Sequence, residues 1–297
     1  MKTAYSVVAE NNLRTGLLMM IFLGLVFGLG WIFSYLLENK GIFYGAVIFG
    51  VLINLLSLLW GDKIALVLAG AKEIKKEDLP EVYRLVENLA ITAGLPKTPK
   101  VYIINTPALN AFATGKSPKN SVVALTTGII EKLNKEELEG VIAHEISHIK
   151  NLDIRVMMMA TILAGIIAIM ADIFLRIIFS GDKNRERGNP LFLLIGFILA
   201  LLAPIFAQLI TLAISRKREF MADASGALLT RNPEGLASAL EKISASNIPL
   251  DTSPATAHLF IVNPFRNKKG FISWLGNLFS THPPVEERIK ILRGMVI

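Results

Sequence analysis

Cysteine is missing from all 297 residues. Its absence excludes disulfides, thiolate metal sites and cysteine nucleophiles, and it leaves the redox compartment open. Charge is scarce too. Asp, Glu, Lys and Arg make up 19% of the chain, where an ordinary soluble protein has about a quarter. Hydrophobic residues fill the gap at 53%, and the mean hydropathy is +0.52. Internal repeats, low-complexity tracts and aromatic–basic recognition motifs are also lacking. The net charge of +7 therefore does not point to nucleic acid, because the lysines sit among acids, as in KEIKKEDLPE. Basic residues flanking apolar spans account for the excess more simply.

A helix needs about 20 mostly apolar residues to cross a bilayer. Four stretches qualify: Leu17 to Leu37, Ile42 to Trp60, Val156 to Phe179 and Leu191 to Ile214. The first is too long for a signal peptide, has no small-residue cleavage site and is followed at once by a second span. The expectation is two hairpins alternating with two polar segments, in four parts: 1–60, 61–155, 156–214 and 215–297. Both polar segments then lie on one side of the membrane. Arg14, Lys63, Lys150, Arg155, Arg216, Lys217 and Arg218 flank the spans on that side, which makes it cytoplasmic. Lys183, Arg185 and Arg187 in the opposite loop argue the other way. A buried hairpin in a soluble core is the rival for the last two spans, and their length disfavours it.

The first polar segment reads as a helix (DLPEVYRLVENLAITAG), a strand (KVYIIN), an extended piece (NAFATG) and a strand (SVVALTTGII). A second helix follows, with Asn134 and Glu137 spaced as a capping box. No turn signal separates this helix from the third span. It carries HEISH. His144 and His148, at i and i+4, share a face and can reach one ion, with Glu145 at its edge as a base for a bound water. A catalytic zinc takes three protein ligands. Asn151 and Ile154 stand where an extended motif would place glycine and a third histidine. A later carboxylate must serve instead, and SRKREFMADASGA offers Glu219 as ligand and Asp223 as the group that orients a ligand histidine. Two surface histidines and a charged helix face are the bland alternatives. Against them, the histidine helix enters span three and the glutamate helix leaves span four, so an antiparallel hairpin brings the two together.

NAFATG, HEISHIKN, SRKREFMADASGA and STHPPVEERI together resemble the HtpX-type heat-shock membrane zinc metalloproteases, relatives of the prenyl-protein (CAAX) endopeptidases. The resemblance covers nearly the whole chain. It implies a mainly α integral membrane protein, with four transmembrane helices and a gluzincin-like α+β protease domain. It implies one zinc ion held by His144, His148 and Glu219, with Glu145 as catalytic base. Its implied substrates are polypeptides, above all misfolded or damaged membrane proteins, with self-cleavage. The implied location is the cell (inner) membrane, multi-pass, with the site facing the cytoplasm. Phe220 and Met221 replace a commoner tyrosine and basic residue of the pattern. Asn110, Ala111, Phe112 and Ala113 resemble the family's edge strand, whose backbone pairs with an extended substrate; a plain surface strand is the alternative. His282 is either a donor to the oxyanion or part of a helix start. His258 reads as structural.

Three rivals remain at the level of sequence. A metal-containing scaffold needs no base beside its ligands, and a transporter needs polar midplane residues beyond Gln208 and Pro204. A processing enzyme for lipidated or precursor peptides fits the same residues. Orientation is directly testable because no native cysteine interferes. An impermeant thiol reagent on intact cells should label a cysteine placed at Asn184 and not one placed at Asn267. The reverse pattern overturns the topology.

Overall fold

The computed structural model describes residues 4–36, 40–159, 194, 198, 202, 216–246, 248–250, 259–262 and 283–296. Two long helices lead, α1 (Ala4–Leu36) and α2 (Lys40–Leu68). They pack along each other, and Gly50 lets them close: a Cβ there would sit 3.2 Å from Val26 and 3.3 Å from Leu23 and Phe27. The hairpin is patterned opposite to a soluble one. Its outward positions include Tyr44, Ile48, Val51, Leu55 and Val67, whereas Asn54 and Ser57 are buried. Small and polar residues between helices with apolar residues outside are the pattern of membrane helices. Within α2, Phe43–Leu68 contains an 18-residue window of mean hydropathy 2.0 and is long and apolar enough to cross a membrane. The apolar stretch of α1, Leu13–Gly28, is shorter.

The boundary expected at residue 60 falls inside α2. The helix continues to Leu68 because Ala65, Leu66 and Ala69 bury themselves with Phe112, Val122, Ala124 and Phe260. The α1–α2 hairpin is thus built into the polar domain. Spans three and four lie outside the described residues except for helical positions 153–159, 194, 198 and 202.

Four strands follow: β1 (Ala71–Glu73), β2 (Lys100–Ile104), β3 (Ala111–Ser117) and β4 (Asn120–Thr126), with α3 (Pro80–Ala93) between β1 and β2. Pro80 opens α3, and Gly94 closes it at φ 73, a conformation that costs glycine little. The sheet order is β1-β2-β4-β3, with β2 and β4 parallel and the other pairs antiparallel. This leaves β3 at an edge. Its alternation has two destinations: Ala111 and Ala113 join the main core, and Phe112 joins the cluster around the end of α2. The strand expected over SVVALTTGII stops at Thr126. The Thr126 hydroxyl accepts from the Ile129 N–H at 3.2 Å and caps a short helix, α4 (Thr127–Lys132).

Helix α5 (Lys135–Lys150) is the hub. The capping box is present: Asn134 Oδ1 accepts from the Glu137 N–H and Glu137 Oε2 from the Asn134 N–H, each at 2.9 Å. Every residue from 140 to 149 is buried, so the helix is covered on all sides. The cover comes from α3, β3, α6 (Arg216–Thr230) and α7 (Pro233–Ala245), with α8 (Val285–Arg293) packed on α7 and α6. Gly226 of α6 lies against the backbone of His144, where a Cβ would sit 3.0 Å from its nitrogen.

The uninterrupted helix expected from HEISH into span three is broken. Helix α5 ends at Lys150, Asn151 and Leu152 form a turn with Leu152 at φ 59, and the helix resumes at position 153. A leucine with positive φ costs about 1–2 kcal/mol. The contact this turn makes possible belongs to the site described next.

Candidate metal and catalytic centre

Helix α5 places His144 and His148 one turn apart, with ring centroids 4.7 Å apart and planes at 88°. Helix α6 crosses at this level and points Glu219 between them. His144 Nε2 and His148 Nε2 are 3.1 Å apart, and Glu219 lies 3.7 Å from the first and 3.5 Å from the second. All three side chains are buried, and together they form a possible metal site. Donor atoms around a tetrahedral zinc with bonds of about 2.0–2.1 Å stand about 3.3 Å apart. The triangle has that size, so its two imidazoles and one carboxylate fit a small divalent ion.

Each histidine is backed by an aspartate, and each aspartate by an arginine. Asp223, one turn past Glu219, brings Oδ1 to 2.9 Å from His144 Nδ1, close but poorly aligned for a hydrogen bond. Arg288 of α8 grips Asp223 with two bonds, Nε to Oδ2 at 2.8 Å and Nη2 to Oδ1 at 2.7 Å. His148 Nδ1 meets Asp153 Oδ2 at 3.1 Å, and Arg218 Nη1 donates to Asp153 Oδ1 at 3.2 Å. The turn at Leu152 carries Asp153 back under His148. Arg288 also brings Nη1 to 3.7 Å from Glu219.

Asp153 and Arg288 are absent from the residues that the sequence singles out, and Arg218 figures there only as a charge flanking a span. Arg288 was legible. In α8 the buried positions are Val285, Arg288 and Leu292, so an arginine sits on the apolar stripe, where it requires a buried anion. Asp153 was not, because its reach depends on the turn. His282 and His258 lie outside the described residues.

Glu145 is 2% exposed and lies beside the backbone of Ala113 in β3. Burial pushes the Glu145 carboxyl up to about 7; the positive charges of His148 and Arg288 offset this in part, and Glu219 adds to it. That value suits a group that must take and return a proton near neutral pH. Burial takes His144 down to about 4 despite Asp223. Burial acts the same way on His148, but the bond to Asp153 and the charge of Glu219 outweigh it, and the ring is pushed up to about 9. For Asp223, burial opposes the charge, yet Arg288 outweighs it and holds the carboxyl down to about 2.

These values set a proton count for metal binding. A ligand imidazole must be neutral at the donor nitrogen. At pH 7 His144 already is, and His148 is not. Zinc binding at pH 7 should therefore release at least about one proton per ion, and the apparent affinity should rise about tenfold per pH unit up to about pH 9. A pH-stat titration of the metal-free protein measures the release. No release, with an affinity flat between pH 6 and 8, contradicts the electrostatics described here.

Of the expected edge-strand residues, Ala111, Phe112 and Ala113 lie in β3 and Asn110 immediately precedes it. The sequence profile described as peptidase family M48 matches residues 76–296. A protein named Protease HtpX homolog from Caldanaerobacter subterraneus subsp. tengcongensis is 45% identical over 305 residues, covering 100% of this chain and 99% of its own. One of the same name from Pyrococcus furiosus is 46% identical over 289 residues, covering 96% of each. Among solved structures, the crystal structure of S. mikatae Ste24p aligns with 97% of this chain and 67% of its own, at 17% identity and a TM-score of 0.50, a likeness of fold. With a profile match across most of the chain and full-length relatives at this identity, the chain belongs to peptidase family M48 and is a metalloprotease.

Proposed function

We propose that this chain is a membrane-integrated, zinc-dependent endopeptidase. One observation carries the reading: a buried His144–His148–Glu219 triangle lies beside a carboxylate, Glu145, pushed up to about 7. His144, His148 and Glu219 hold the single ion, and Asp223 keeps the His144 ring in register. A bound zinc ion polarises the scissile carbonyl and acidifies the attacking water. Glu145 takes a proton from that water as its oxygen bonds to the carbonyl carbon. The same carboxyl returns the proton to the departing amine when the C–N bond breaks. Asn110 to Ala113 line the place of an extended substrate, and His282 donates to the oxyanion.

The inside-out patterning of α1 and α2 supports membrane integration, with two further spans in residues 156–214. The flanking basic residues support a site that faces the cytoplasm of a multi-pass protein in the cell membrane. Because α2 runs into the core beneath β3, the centre stands near the apolar helices, which favours membrane-protein substrates and a role in clearing damaged ones. Self-cleavage belongs to the same reading.

Replacing Glu145 by Gln keeps the shape of the side chain and removes its basicity. Glu145→Gln should retain zinc and fold while losing at least about a hundredfold in turnover of casein or of the chain itself. Full activity in detergent-purified variant enzyme refutes the mechanism.

A further inference from the structure

The free side of edge strand β3 is not empty. Asn110 C=O accepts from the Thr126 N–H at 3.1 Å, so alternate residues face β4, and Ala111 and Ala113 turn their backbone groups outward. The Ala113 backbone faces the Glu145 carboxylate. Ala111 C=O accepts from the Ile261 N–H at 3.0 Å. The next residue is gripped by Asn110, whose Nδ2 donates to Val262 C=O at 2.9 Å and whose Oδ1 accepts from the Val262 N–H at 3.4 Å. Arg288 Nη1 donates to Ile261 C=O at 3.1 Å, and the same nitrogen lies 3.7 Å from Glu219.

All four backbone polar groups of Ile261 and Val262 are therefore met by residues of the site. Such contacts do not depend on the side chains of Ile261 and Val262. One is the main-chain bond that a polypeptide added to a sheet edge makes, and the other three come from the Asn110 and Arg288 side chains onto a segment that bends at 260–262. Ile261 is 1% exposed and Phe260 0%, and the Phe260 ring stands edge-on to Phe112 at 5.1 Å. The strand residue that receives Ile261 is two positions from Ala113, which lies beside Glu145. These residues thus lie one strand repeat from the base and one guanidinium from the ligand carboxylate.

We propose that residues 259–262 occupy the substrate groove as an internal ligand, and that the groove takes in their place a polypeptide with a bulky aliphatic residue where Ile261 now sits. This rests on the peptidase reading above and adds to it the groove's anchors, its side-chain preference and its resting occupant. A tethered occupant competes at an effective concentration in the millimolar range. Substrate affinity is lowered by the fraction of time the groove is open. Substrates able to displace it are long, extended and apolar at that position, as exposed segments of unfolded proteins are.

The test separates binding from catalysis. Full-length, zinc-loaded Glu145→Gln protein in nanodiscs is titrated with a fluorescein-labelled octapeptide containing Leu-Phe-Ile-Val, and with the same peptide carrying Asp in place of Ile. Binding of the first should be at least about tenfold tighter than of the second, and it should strip hydrogen-exchange protection from residues 259–262. In Glu145→Gln/Ile261→Asp the first peptide should bind about tenfold tighter still, because the internal competitor is weakened. Peptide binding that leaves 259–262 equally protected overturns the proposal, as does the absence of binding in both proteins. The exchange measurement needs no substitution at Ile261, so a misfolded double variant does not rescue the idea. The peptidase reading fails separately, if zinc-loaded wild type cleaves no polypeptide at all.

Discussion

A buried arginine holds the centre together. Arg288 is fully enclosed, and its guanidinium is shared among the Asp223 carboxylate, the Ile261 carbonyl and the neighbourhood of Glu219. Glu145, Glu219 and Asp223 are buried within the same few turns of α5 and α6, and three enclosed carboxylates cannot coexist without cations. Arg288 supplies one against Asp223 and Glu219, and Arg218 supplies another against the neighbouring Asp153. Removing one partner of such a buried pair leaves an uncompensated charge and typically costs about 3–5 kcal/mol. The pair also fixes where α8 packs, so the last described helix is tied to the centre by electrostatics as well as by Val285 and Leu292.

The two histidine supports come from different directions. Asp223 arrives along α6, one turn past the proposed ligand. Asp153 arrives through a break in α5, on the stretch that leads toward the third expected span, and Arg218 meets it from the first turn of α6. The Asp153–Arg218 ion pair thus ties the start of α6 to the turn after α5 and also backs His148. On the other flank, Lys116 of β3 donates to the Leu59 carbonyl of α2 and lies 3.8 Å from Asp62. The strand beside Glu145 is therefore fastened to α2. Both connections link the geometry of the centre to the apolar helices.

What the sequence reveals, and what it hides, follows from range. HEISH, the Asn134–Glu137 box and the Glu219–Asp223 pair are local patterns with a helical period, and each lands where its spacing places it. The edge position of β3 came from the resemblance rather than from alternation, since NAFATG has no clean polar face. The turn at Leu152 leaves no mark: neither Asn151 nor Leu152 is a glycine or proline, and the turn coincides with the long-range contacts of Asp153. The end of α2 is hidden for a similar reason, because Asp62 and Lys63 read as the edge of a membrane while the sheet continues the burial. The partners of Asn110 are 152 residues away in the chain, beyond any local pattern.

The central claim is that Glu219 bonds the metal directly and Asp223 acts through His144. Zinc content after identical dialysis of wild type, Glu219→Ala and Asp223→Ala tests it most directly. The account predicts that Glu219→Ala loses zinc more completely than Asp223→Ala, whose affinity should fall by about 10 to 100-fold, the usual loss for a partner one bond removed from the metal. Stoichiometric zinc in Glu219→Ala beside an empty Asp223→Ala would contradict it.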